Sequence, residues 1–503
     1  MSISNVFSQW FRTLNASHSP ASSIDGAAFG DGAEGWGSSD GGAASLPGVP
    51  GADDFGLGLL IAPPNLAPTV SFFDSASLAP TSSTSGAGSP NAASGSSTSG
   101  GTTKTAASTP ASTILAKLSN AGIEADVAKL MVNDSLTYSS MLTILQDAAV
   151  GGMTASKFST LETLASLLNA SGGISTSAYV QQITQDVVDG DSANATWNGG
   201  SSTAAKLGNL SATSTQTQAT ELIGMWFLGT NLPSLSVSSI GEENIGATYQ
   251  ATTEPLYGKS GAPVYTDVNQ GYLGDCYFMS ALADVALQDP SVIENMISSD
   301  GNGAYSVEFV VNGKPDYVTV NDELPTMPRG YSWANGSTLE FANGSPEWAE
   351  LVEKAYAELN AQTAAPHGEE LNQASDSYAG IDAGGGYALT EITGQAVNDY
   401  SFTSRTSAST FSADNSLFAA DWKSDEELLV GTSNIQSGNI VADHMYQVIG
   451  YAAGTSAATD MLTLHNPWGS AYSGPLAMTF SISLASLAAD DVTIFATTGK
   501  PTV

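Results

Sequence analysis

The stretch VNQGYLGDCYFMSALADVAL, residues 268–287, decides how this chain is read. Its first part is turn-rich, with Gln270, Gly271, Gly274 and Asp275; its second part is an apolar, helix-like run opening at Cys276. The only cysteine of the chain is thereby set at a helix N-terminus. There the free N–H groups and the helix dipole favour the thiolate, the form that attacks. A free cysteine is more often a buried, inert residue, so the reading turns on the residues that accompany it.

Those residues lie far downstream. His444 and Asn466 fall on the strand-like runs HMYQVIGYAAG and MLTLHNPWG, with Trp468 close behind. An imidazole can take the proton from sulfur, and a carboxamide can orient the ring. Gln270, six residues before Cys276, carries an amide that can donate to a developing oxyanion beside the backbone N–H of Cys276. Taken singly, His444 reads as a strand residue, Asn466 as a turn residue before Pro467, and Trp468 as core. Their joint occurrence in this order points to nucleophilic catalysis.

Around this set the texture is mixed. AYSVEFVVNGKPDYVTVNDELPT, residues 304–326, reads as a hairpin turning at Asn312-Gly313. SPEWAELVEKAYAELN, residues 345–360, reads as an amphipathic helix capped by Ser345 with Pro346 at its first position. The expected fold class is α+β. Residues 111–238 read as a small helical bundle. Ser112 or Thr113 caps a first helix that runs through Leu115 and Leu118 and stops at Gly122. Thr154 caps a second, with Phe158, Leu161, Leu164, Leu167 and Leu168 inward and Gly172 as its stop. A third carries Tyr179, Ile183 and Val187. Residues 1–110 are low in complexity. The run GAGSPNAASGSSTSGGTTKTAASTPAS reads as a flexible arm, with Val6–Phe11 and Leu57–Ile61 as short apolar patches.

Composition excludes several classes. The 503 residues hold 13 Lys plus Arg against 49 Asp plus Glu, a formal charge of -36. A chain this acidic is poorly suited to a phosphate backbone or an anionic membrane surface, so no nucleic-acid partner is expected. One cysteine excludes an intrachain disulfide and thiolate-rich zinc sites. No apolar run approaches the ~18 residues of a spanning helix. The N-terminus lacks a basic region followed by an apolar one, so no cleavable signal is expected. The composition leans toward export by a signal-less route, with a cytoplasmic placement as the other expectation.

QGYLGDCYF, SPEWAELVEKAYAELN, DHMYQVIGYA and LHNPWG together resemble the protease core of the calpain family, within the papain-like cysteine peptidases; VTVNDELPT adds a further match. The resemblance covers roughly residues 245–500. It implies a papain-like two-lobed core over 240–503, with the Cys lobe at about 245–395, the His/Asn lobe at about 396–500 and a cleft between them. It implies that Cys276 is the nucleophile, His444 the general acid/base, Asn466 the residue that orients the imidazole and Gln270 part of the oxyanion hole. Trp468 would shield the Asn–His hydrogen bond from water. The implied reaction is hydrolysis of protein or peptide substrates through a thioester. The helical region is then a candidate for intramolecular inhibition. A catalytically silent binding or adhesion protein on the same fold is the alternative, and acyl transfer to an amine is a third.

Several positions depart from the pattern. Tyr277 stands where these proteases usually have Trp. Asp443 replaces the usual Gly before the His, and its carboxylate is expected to favour the imidazolium. His465 stands where animal calpains usually have Arg, and is expected to be a strand residue. For calcium, Asp267 matches one family ligand, but Ala379 stands where its partner Glu is expected, and no EF-hand pattern appears. No required cofactor is expected, and calcium activation is not.

Overall fold

The computed structural model describes residues 111–201, 203–235, 247–271, 273–326, 346–362, 377–381, 384–403, 405–424, 426–433, 438–471 and 475–499. The arm at 1–110, with both its apolar patches, and Ser345 lie outside these residues.

Among the described residues six helices come first: α1 (Ala111–Leu115), α2 (Ala121–Leu130), α3 (Tyr138–Ala149), α4 (Ala155–Leu167), α5 (Ala178–Val188) and α6 (Gln216–Leu228). Thr154 caps α4 as its sequence predicts, its hydroxyl accepting the Lys157 N–H. The first expected helix is corrected. Ser112 and Thr113 lie inside α1, and Gly122 is no stop: it sits in the first turn of α2, where Asn120 accepts the N–H groups of Gly122 and Ile123. An Asn one residue before a helix accepts the first N–H groups, which have no partner within that helix, so a new helix starts there. Ile123, Val127, Leu161, Leu164, Ile183, Val187 and Trp226 share one core. The strands β1 (Thr196–Trp197) and β2 (Ala205–Lys206) pair within the Gly/Ser-rich stretch before α6.

The rest is sheet and helix. Its elements are β3 (Thr248–Ala251), α7 (Cys276–Gln288), α8 (Pro290–Met296), β4 (Ile297–Gly301), β5 (Ala304–Val311), β6 (Lys314–Asn321), β7 (Glu323–Thr326), α9 (Trp348–Gln362), α10 (Ala388–Thr393), β8 (Val397–Phe402), α11 (Ala408–Lys423), β9 (Leu428–Thr432), β10 (His444–Ala452), β11 (Met461–His465), β12 (Thr479–Ser483), α12 (Leu484–Ala489) and β13 (Val492–Thr497). The β5–β6 hairpin turns at Asn312 and Gly313, both at positive φ (51° and 73°), the backbone that a two-residue hairpin turn requires. Helix α9 begins at Trp348 rather than at Pro346, with the Glu347 carbonyl accepting the Leu351 N–H.

Three strands, β4-β5-β6, pack Val307, Phe309, Val318 and Val320 against α7, α9 and α10 in one core. A six-stranded antiparallel sheet, in the order β12-β11-β10-β9-β13-β8, has a core of its own with Phe402, Phe418, Val430, Tyr446, Leu462 and Ile494. Period-2 alternation splits β6 between two cores: Val318 and Val320 enter the core that contains α9, while Tyr317 and Thr319 meet the first six helices. No helix among the described residues is long and apolar enough to cross a membrane.

Candidate active site

Cys276 is the first residue of α7, half-buried, and packs against the core that contains α7. Nearly every later side chain of the helix is buried, which fixes the helix and therefore its first turn. His444 is the first residue of β10. One bond ties these elements together: Ser280 Oγ, one turn after Cys276, donates to the Met445 carbonyl at 3.0 Å. One turn is about 6 Å of helix, so the start of β10 is pinned close to the sulfur's end of α7. Burial raises the Tyr446 phenol, the Val441 backbone bond opposes that shift, and the nearness of Cys276 and Asp490 adds to it.

The His444 ring is ordered on several sides. Its Nε2 lies 2.9 Å from Asn466 Oδ1. The Trp468 ring stands over it at 5.0 Å between centroids, and Tyr446 meets it edge-on at 4.9 Å. Asn466 Oδ1 also accepts the Trp468 N–H at 3.1 Å, which fixes the carboxamide so that oxygen faces the ring. With Nε2 turned to Asn466, Nδ1 is the nitrogen left for a proton from elsewhere. On the backbone, Thr432 Oγ1 accepts the His444 N–H at 3.3 Å from the neighbouring strand. Burial lowers the His444 pKa to about 4, and the Asn466 bond opposes that shift. At neutral pH the ring is therefore uncharged, the form that accepts a proton. The expected help from Asp443 is absent: burial and Asn466 are the causes acting on His444. Asp443 is exposed and sits at φ 50°. A left-handed backbone is the reason a glycine suits this position, and Asp is one of the few side chains that tolerate it.

The loop before Cys276 is clasped to the segment after Asn466. The Gln270 N–H donates to the Pro467 carbonyl at 2.8 Å, and Asn269 Oδ1 accepts both the N–H and the hydroxyl of Ser470, at 2.8 and 2.9 Å. Gly469, at φ +60°, allows this approach, because a Cβ there would meet Asn269 Oδ1 at 2.5 Å. The structure thus brings Gln270, Asn466 and Trp468 to one place. The Gln270 side chain is buried, and its Nε2 donates to the Leu273 carbonyl at 2.7 Å.

A profile of the calpain family cysteine protease matches residues 250–480. Residues 250–480 are thus similar to the calpain family of cysteine proteases. It is 29% identical over 217 residues to calpain clp-4 of Caenorhabditis elegans, covering 40% of this chain and 27% of that protein. Over 129 residues it is 31% identical to the calpain-2 catalytic subunit of Gallus gallus, covering 24% and 17%, and over 125 residues 28% identical to that of Homo sapiens, again 24% and 17%. The chain thus spans about a quarter or less of the length of these relatives. A calpain protease domain implies a papain-like fold, and the α+β content agrees with it.

The residues matched to the calpain calcium position are Asp267 and Ala379. Asp267 Oδ2 is already engaged, accepting the Trp348 indole N–H at 2.9 Å and the Val264 N–H at 3.0 Å. Ala379, buried in a short 3-10 turn, offers no side-chain oxygen. Elsewhere in the calpain domain, Tyr277 is fully buried and donates to the Ile381 carbonyl at 3.2 Å, a core role for the ring that replaces Trp. His465 lies buried on β11 with its Nδ1 3.0 Å from Thr479 Oγ1 and the Tyr265 ring edge-on, and burial lowers its pKa. Sequence reading missed Ser280, Thr432 and Asn269. Their only signal is small polar side chains next to the matched blocks, and their partners become visible only in the folded chain.

Proposed function

We propose that the chain is a cysteine endopeptidase whose core comprises two lobes, one bearing Cys276 and one bearing His444 and Asn466, with substrate bound between them. Cys276 gives its proton to His444 Nδ1, and the sulfur attacks the scissile carbonyl carbon. The C–N bond then breaks as His444 returns the proton to the leaving amine, giving a thioester that water hydrolyses. Asn466 holds the ring in the tautomer this requires, and Trp468 keeps water from that bond. Gln270 has a second amide hydrogen beyond the one taken by Leu273, and this donates to the oxyanion together with the Cys276 backbone N–H. Catalysis proceeds without calcium.

The observation that carries this reading is the 2.9 Å His444–Asn466 pair beneath Trp468, set against a helix that opens at the only cysteine. The test is labelling of the purified chain by a thiol-directed epoxide, together with cleavage of an unfolded protein, with calcium and with chelator. Both are expected in either condition and lost in Cys276→Ala. Labelling and cleavage that survive in the variant remove the assignment.

A further inference from the structure

The turn that carries Asn466 is tied to the loop before Cys276 by hydrogen bonds of two kinds. One is backbone to backbone, from the Gln270 N–H to the Pro467 carbonyl at 2.8 Å, and is independent of side chains. The other depends on Asn269. This residue is buried, and its Oδ1 accepts the Ser470 N–H at 2.8 Å and the Ser470 hydroxyl at 2.9 Å, which fills both lone pairs of the oxygen. Its Nδ2 donates to the Asp267 carbonyl at 2.9 Å. The amide therefore has one workable orientation: turned over, Nδ2 would face the Ser470 N–H and Oδ1 the Asp267 carbonyl. Asp267 is anchored in turn, its Oδ2 accepting the indole N–H of Trp348, a buried residue of the core that α7 shares. On the other side the Gly469 N–H closes the turn on the Asn466 carbonyl at 3.1 Å, while Asn466 Oδ1 engages the His444 ring and the Trp468 N–H.

We propose that Asn269 is a positioning residue: by holding Ser470 it keeps the Gln270 amide and the Asn466 turn in one register, so that the oxyanion donor and the base meet the same scissile bond. This role rests on the Cys276–His444 reading above. Of the bonds between the two segments, Gln270–Pro467 survives loss of the Asn269 oxygen, and one bond allows rotation about itself. A second bond, placed further along the turn at Ser470, stops that rotation. Gly469 shows how closely the segments meet: besides Asn269 Oδ1, a Cβ at this residue would stand 2.7 Å from the Val268 carbonyl oxygen. Catalysis is sensitive to small displacements here, since a shift of ~1 Å costs up to about 10²-fold in rate. The oxyanion forms only as sulfur attacks, so a displaced donor weakens the transition state and leaves the bound substrate as it was.

The test compares the full chain with Asn269→Ala, Ser470→Ala, the double variant and Cys276→Ala. Asn269→Ala is expected to lower kcat about tenfold with KM within about twofold, and to weaken inhibition by a peptide aldehyde by a similar factor. The Cys276 sulfur adds to the aldehyde carbon, the carbonyl π bond opens, and the resulting oxygen occupies the oxyanion position. A chain that is merely less stable keeps its aldehyde affinity per folded molecule. Ser470→Ala loses only the hydroxyl bond and is expected to lower kcat about threefold, with nothing further lost when it is added to Asn269→Ala, in kcat or in melting temperature. Wild-type kcat in Asn269→Ala, a loss confined to KM, unchanged aldehyde affinity, or additive losses in the double variant overturns the proposal. If Asn269→Ala does not fold, Ser470→Ala decides, and an unaltered kcat there overturns it. Cleavage that survives in Cys276→Ala overturns the Cys276–His444 reading and the catalytic role of Asn269 with it. Failure of the Asn269 role alone shows instead as a dead Cys276→Ala beside a fully active Asn269→Ala.

Discussion

His444 is governed by two opposing effects of known sign. Burial disfavours its cation and lowers its pKa to about 4, and the Asn466 oxygen favours the cation and holds the pKa up. Activity that needs a neutral ring is therefore retained well below the ordinary histidine range and falls as pH drops through about 4. Asn466→Ala removes the supporting bond, so the acidic limb of kcat/KM moves to still lower pH. It also frees the ring to turn, and kcat is expected to fall by about 10² with KM little changed, the scale of a misplaced acid/base. Rates measured from pH 3 to 8 give both numbers. A rise in KM at constant kcat, with the limb unmoved, would make Asn466 a structural residue instead. The Asp443 backbone belongs to this scale as well: the residue before the histidine accepts a left-handed φ so that β10 can start at the ring.

Between helices, the packing of the Cys276 segment depends on a tyrosine cluster with a carboxyl at its centre. Phe278 stacks on Tyr356 at 3.8 Å between centroids, Tyr277 and Tyr387 sit against them, and the Tyr356 hydroxyl donates to Glu391 Oε2 at 2.5 Å. Burial raises Glu391 to about 8, against the opposing pull of Tyr356. The folded form thus holds a proton that the unfolded chain gives up near pH 4.5. The stabilisation is complete below that value and is lost as pH rises through about 8, on the order of a few kcal/mol at most. Glu391→Gln, neutral throughout, should flatten the fall in melting temperature between pH 5 and 9. An unchanged slope in that variant would place the titrating group elsewhere. These elements also divide what the sequence discloses from what it withholds. The α7 start and the β5–β6 turn are legible because local residues set them: a turn-rich run before Cys276, and Asn312-Gly313. The locks are not legible: Asp284 reaches Leu428 across 144 residues and Ser280 reaches Met445 across 165, and only long-range packing brings such pairs together. His444 and Asn466 emerge through a resemblance carried by motif blocks, whereas the cap at Asn120, a signal present in the chain, is passed over in favour of a stop at Gly122.

At the scale of the molecule, the first six helices contact the protease core on β6. Tyr179 and Thr319 share a hydrogen bond of 2.8 Å, Thr319 Oγ1 donates to the Trp226 carbonyl at 2.6 Å, and Gln182 bonds both Asp316 Oδ1 and the Tyr317 N–H. These contacts set the helices against the outer side of a strand whose inner side, Val318 and Val320, joins the core that contains α9. Gly229 allows the close fit. It lies at φ +59°, and a Cβ there would stand 2.3 Å from the Val320 carbonyl carbon and 2.5 Å from the Asn321 nitrogen. Gly229→Ala must therefore strain its own backbone, at ~1–2 kcal/mol, and push the helices off β6 as well. With each kcal/mol worth about 2–4 °C in a chain of this domain size, a drop of several degrees in melting temperature is expected, with turnover per folded molecule no higher than wild type. If turnover rises as the melting temperature falls, the helices restrain the site and are an inhibitory segment. A support loosened in the same way is expected to yield only a less stable enzyme, because β6 carries Val318 and Val320 into the core that the nucleophile's helix shares.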